Sequence, residues 1–156
     1  MRLPFAILGA CLALVACSGG GDDHSAEEEM HENMHTFMLE KLDVAADGIW
    51  DNAGYVLTPE GEQSLFPETD AEWDAVTAAA NEIARLSEDL AVMEYPGPRE
   101  DWVQISSGLV GATDVIKDAV SARDKEALFD AGGYLYRVCL SCHERFIVEA
   151  EEEHAQ

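Results

Sequence analysis

Basic side chains are scarce in this chain: nine lysines and arginines stand against 32 aspartates and glutamates, for a formal net charge of −23 at pH 7. That imbalance excludes nucleic-acid binding through a basic patch. Strand patterning is missing too, since no stretch of useful length alternates apolar and polar residues, and a dithiol protein built on βαβ units is excluded with it. Apolar runs long enough to cross a bilayer are lacking; Leu3 through Leu14 falls short of the roughly 20 residues that a spanning helix needs. Cysteine is sparse, with four residues at positions 11, 17, 139 and 142.

What is present begins with an export signal. Arg2 and the apolar stretch after it give residues 1–16 the pattern of a cleavable signal peptide. Leu14, Val15, Ala16 and Cys17 resemble a bacterial lipobox, in which cleavage precedes the cysteine and Cys17 becomes the lipid-bearing first residue. A simpler signal with Cys17 as a bystander is the alternative. Ser18 after the cysteine points, by resemblance to such lipoproteins, to a protein anchored at the outer membrane and facing the periplasm. Cleavage removes Arg2 and no acid, leaving a net charge of about −24 on about 140 residues, a length that suits one domain. Residues 17–29, rich in Gly, Asp and Glu, read as a flexible acidic tether, followed by a domain over 30–152. The acidity suits a basic-surfaced partner met by electrostatic steering, or general solubility, or a saline habitat.

Four segments carry the three-to-four residue spacing of amphipathic helices. The first runs from about Glu27 to Ala53, with Met30, Met34, Met38, Ala45 and Ile49 on one stripe. A long connection from Gly54 to Pro67 follows. The second starts at Thr69 or Asp70, turns Trp73, Val76, Ala80, Ile83 and Leu90 inward, and is ended by Pro96 and Pro98. The third, about Arg99 to Ala122, buries Trp102, Ile105, Leu109, Ala112 and Ile116; the fourth, capped by Asp124, buries Leu128, Ala131, Leu135, Cys139, Cys142 and Phe146. The expected fold is all-α, an antiparallel four-helix bundle. Gly132 and Gly133 lower the propensity of the last helix by about 2 kcal/mol together relative to alanine, which indicates close packing there against a cofactor or another helix.

Cys139, Leu140, Ser141, Cys142 and His143 have the spacing of covalent c-type haem attachment: two thiols three apart, then an imidazole one helical turn after the first. Cys139 and Cys142 would carry the thioether links to one haem c, and His143 would be the proximal iron ligand as neutral imidazole. A zinc site of Cys139, Cys142, His31 and His35 is the rival, and leaves His143 unexplained. No methionine follows His143, so a methionine ligand to the other face must come from Met30, Met34, Met38 or Met93. The bland reading of those methionines is core filler.

Four helices, the haem motif on the last and ligand candidates on the first resemble the class II cytochromes c, meaning cytochrome c prime and its low-spin c556-like relatives. The likeness covers about residues 30 to 150 and extends to Asp47, Gly48, Ile49 and Trp50. It implies haem attached to the C-terminal helix and electron transfer in the cell envelope, with no substrate chemistry. It also implies a distal methionine from the first helix, for which Met38 is the first choice, Met34 the second and His35 a further candidate. An apolar residue in that place would leave iron five-coordinate and able to bind nitric oxide or carbon monoxide, as in cytochrome c prime. Relatives carry a basic residue four positions after the haem histidine; here Ile147 stands there, and Arg137 and Arg145 are the candidates for propionate contacts. Such bundles often pair through their first two helices, which implies a homodimer. No distal histidine pairs with an arginine at a peroxidase-like spacing, and His24 and His154 are given no role.

Overall fold

The computed structural model describes residues 22–94 and 99–154, with side chains over 29–94 and 99–147. The expected signal peptide, Cys17, Pro96 and Pro98 lie outside the described residues. The chain forms α1 (Asp22–Phe37), a π-helical turn (Met38–Leu42), α2 (Asp43–Trp50), a hairpin of β1 (Tyr55–Thr58) and β2 (Gly61–Ser64), then α3 (Asp70–Val92), α4 (Arg99–Ala122) and α5 (Lys125–His154). With α1, the π turn and α2 counted as one long first helix, this is the expected four-helix arrangement.

Two departures from the sequence expectation stand out. Residues 22–29, expected within a flexible tether, are helical and form the start of α1. The connection after Gly54 holds an antiparallel hairpin, in register Tyr55 with Ser64 and Thr58 with Gly61. Its strands are four residues each and mostly exposed, too short to show alternation. Gly61 takes a φ of 131° where the chain turns, and the Thr58 hydroxyl donates to the Gly61 carbonyl at 2.9 Å. Tyr55 sets its ring edge-on to Phe66 at 5.2 Å, which ties the hairpin to the helices.

Local signals account for the ends of the long helices. A capping box opens α3: the Glu72 N–H donates to the Thr69 hydroxyl at 3.3 Å, and the Thr69 N–H donates to the Glu72 carboxylate at 2.8 Å. At its other end, Arg99 donates to the carbonyls of Ala91 and Met93, and the Trp102 indole donates to that of Leu90 at 2.8 Å, so side chains of α4 satisfy acceptors left open at the end of α3. Arg123, at φ 50°, makes the sharp turn after α4, and the Asp124 carboxylate accepts from the Ala127 N–H at 3.0 Å to start α5.

The core is a continuous apolar cluster with Ile49, Val76, Ile83, Leu86, Ile116, Leu128 and Leu135 almost wholly excluded from solvent. α3 packs along α4 and α4 along α5. The first helix crosses α3 tightly at Gly48, where an added Cβ would stand 2.7 Å from Ala79 Cβ. It meets α5 at one place, where the Trp50 indole N–H donates to the Gly132 carbonyl at 3.1 Å. Gly132 thus serves a helix–helix contact: an added Cβ would lie 3.5 Å from Trp50 Cδ1. From Trp50 back to Met38 the first helix faces α5 across a cleft. Among the described residues no helix is long and apolar enough to cross a membrane.

Candidate functional site

The cleft has a volume of about 470 Å³, within the range of sites that hold small molecules and cofactors. One wall is α5, through Tyr136, Val138, Cys139, Leu140, Cys142 and His143. The facing wall is the first helix, through Met38, Leu39, Leu42, Asp43, Ala46 and Trp50. Leu90, Ile105, Ser106 and Leu109 from α3 and α4 form the floor. Apolar side chains dominate, and no lysine or arginine lines the cleft.

Cys139 and Cys142 are half-buried, one helical turn apart, and both are free thiols. Burial pushes both thiols above their ordinary range, Cys142 to about 11, so each is held as the neutral S–H. Ser141 between them turns outward, its hydroxyl donating back to the Arg137 carbonyl at 2.8 Å. His143 reaches the cleft while remaining otherwise exposed. Immediately after it, Arg145 donates through Nε and Nη2 to the same oxygen of Asp101, at 3.1 and 3.0 Å, and Phe146 packs edge-on against Trp102 at 5.0 Å. Those two pairs tie α5 to the first turn of α4.

Of the four candidate methionines, Met38 lines the cleft. Met34, 7% exposed, is packed into the core, and Met93 packs against the core at the end of α3; neither lines the cleft, nor does Met30. His35 is exposed on α1, and neither it nor His31 lines the cleft with the two cysteines. Among the described residues no three His, Cys, Asp or Glu side chains converge, so the zinc alternative finds no grouped ligand set.

The two arginines expected to contact propionates have protein partners. Arg145 is engaged by Asp101. Arg137 lies over the Tyr134 ring at 5.7 Å and lines a neighbouring depression with Phe129, Asp130 and Gly133, which shares Trp50 and Tyr136 with the cleft. Neither lines the main cleft.

Sequence reasoning missed Tyr136, Asp43, Ser106 and the wall role of Trp50. Trp50 stands four residues after Ala46 on the stripe that includes Leu42, which is the signal that could have placed it. Tyr136 sits edge-on to Trp50 at 6.4 Å and closes one end of the cleft. Ser106 gives no such signal; it fits the floor because its hydroxyl donates to the Trp102 carbonyl at 2.8 Å.

Compared with protein-family models, curated proteins and solved structures, the chain matches none.

Proposed function

We propose that this protein is a monohaem c-type cytochrome that carries electrons in the bacterial cell envelope. The observation that supports this most is convergence: Cys139, Cys142 and His143 on the last helix and Met38 on the first line one apolar cleft, although about a hundred residues of chain separate them. Cys139 and Cys142 hold the haem through thioether links, His143 supplies an imidazole to iron, and Met38 supplies a thioether from the opposite wall. Bound there, haem provides a one-electron ferric/ferrous couple. The chain's own part is to fix the two ligands on separate, rigid helices, so that oxidation and reduction demand little movement. Leu42, Ala46, Ile105 and Leu109 keep water away, and a water-poor site with methionine as a ligand favours the ferrous form and raises the potential. No substrate chemistry is required of any residue.

Lipid on Cys17 would hold the bundle at the membrane, facing the periplasm, and a basic-surfaced redox protein would be its partner. Pairing through the first helices into a homodimer is part of the same proposal. The test is expression of the full chain in a host that attaches haem c. The product should be red and keep its haem through acid-acetone extraction, whereas replacement of both Cys139 and Cys142 by serine should release it. A colourless wild-type product would sink the proposal.

A further inference from the structure

We propose that the π turn at Met38–Leu42 is a one-residue register device that determines which side chain of the first helix faces iron. The inference rests on the haem reading above and adds to it the reason that Met38, rather than Leu39 or His35, occupies the distal place.

The sequence pattern creates the need for such a device. Met30, Met34, Met38, Leu42, Ala46 and Trp50 recur every fourth residue, and each is buried or half-buried. On a straight α-helix a four-residue step overshoots one turn by about 40°, so the five steps of this stripe would drift by about 200° and carry one end out of the bundle. One additional residue in a turn gives back about 100°. The structure has that additional residue: the Asp43 N–H donates to the Met38 carbonyl, five residues back, where an α-helix would use Leu39.

Met38 therefore takes the angular place that Leu39 would hold in an unbroken α-helix, and everything before it is turned by one residue. The side chains agree. Met34 and Phe37 are buried at 7% and 6%, while His35 points to solvent and Leu39 is displaced to the rim of the cleft at 53% exposure. Continued as a plain α-helix backward from Ala46, the same sequence would send Leu39 and His35 toward the cleft, seven and eleven residues back on one stripe, and would turn Met38 toward the core beside Ala45 and Ile49. Glu40 and Lys41 are exposed, so the additional residue is accommodated on the solvent side. Single π turns inside α-helices are frequent at functional sites.

Two variants of the full haem-loaded chain test this, read by the ferrous spectrum, carbon monoxide binding and thermal unfolding. Deleting Glu40 removes the additional residue and lets the turn close as α with Met38 still four residues before Asp43. The result expected is an unchanged low-spin spectrum, no gain in carbon monoxide binding and no loss of thermal stability. Exchanging the neighbours, Met38→Leu with Leu39→Met, keeps composition and length and should abolish the low-spin spectrum, because position 39 stands at the rim. If the wild type is low-spin and depends on Met38, loss of that spectrum on deletion of Glu40, or its survival in the exchange variant, overturns the register proposal and leaves the haem reading standing. If Met38→Ala changes nothing in the wild type, the ligand assignment and the register proposal fall together.

Discussion

Glu72 accepts hydrogen bonds from the backbone N–H groups of Glu68 and Thr69, both at 2.8 Å, and these hold its carboxyl below the ordinary value of 4.5. A carboxyl depressed in the folded state adds stability above its unfolded pKa, and that contribution is lost as pH falls through the folded pKa. Glu72→Gln keeps an acceptor in the capping box and removes the titration. Urea midpoints between pH 7 and pH 3 should therefore fall less steeply for the variant than for the wild type; parallel curves would remove this role. Its partner Thr69 acts without charge, and Thr69→Ala should cost about 1 kcal/mol in urea unfolding at neutral pH. At the proposed haem site, Cys139→Ser should leave haem held by Cys142 alone. The alkaline pyridine haemochrome band should then move to longer wavelength, because one vinyl group stays conjugated with the ring.

At the scale of elements, the helix crossings set the width of the cleft. Gly48 lets the first helix lie against Ala79 of α3, and a methyl group there meets Ala79 Cβ at 2.7 Å. Overpacking of this kind costs about 1–3 kcal/mol, against a gain of about 1 kcal/mol from replacing glycine in a helix. Gly48→Ala should therefore lower the unfolding free energy; a neutral or stabilised variant would show that the crossing can widen freely. The long helices were legible because their signals are local. Proline and capping residues mark their ends, and Val76, Ala80, Ile83 and Leu90 recur at the helical period, so α3 and α4 fall where periodicity puts them. The hairpin was not legible, since four-residue exposed strands have no buried face to impose alternation. The π turn was not legible: periodicity put Met38 on one stripe with Ala45 and Ile49, as a plain α-helix would, and the turn moves it instead to the wall with Leu42, Ala46 and Trp50. Cys139, Cys142 and His143 could be found from spacing alone. Met38 could be ranked first, yet its place on the wall with Leu42 and Ala46 depends on the turn between Met38 and Asp43. Trp50 and Tyr136 as cleft walls, and Arg145 as the partner of Asp101, are products of tertiary packing that no local pattern encodes.

On the scale of the whole molecule, the chain carries an excess of 23 negative charges, and the mouth of its cleft carries the exposed side chains of Leu39, Tyr136 and Leu140. Electron exchange with a basic-surfaced protein should slow as ionic strength rises, since exposed charges are screened beyond about 8 Å at physiological salt. Exchange with an acidic protein should show the opposite trend, and stopped-flow rates at two salt concentrations distinguish them. The architecture itself gathers two distant stretches of sequence: the last helix brings the two thiols and an imidazole, the first brings a thioether, and α3 and α4 close the floor between them. The most direct test of that claim is the absorption spectrum of the dithionite-reduced, haem-loaded protein with and without carbon monoxide. Ligation by His143 and Met38 predicts a low-spin ferrous spectrum with a sharp α band that carbon monoxide leaves unchanged on the mixing timescale. A high-spin ferrous spectrum that shifts at once on addition of carbon monoxide would contradict it.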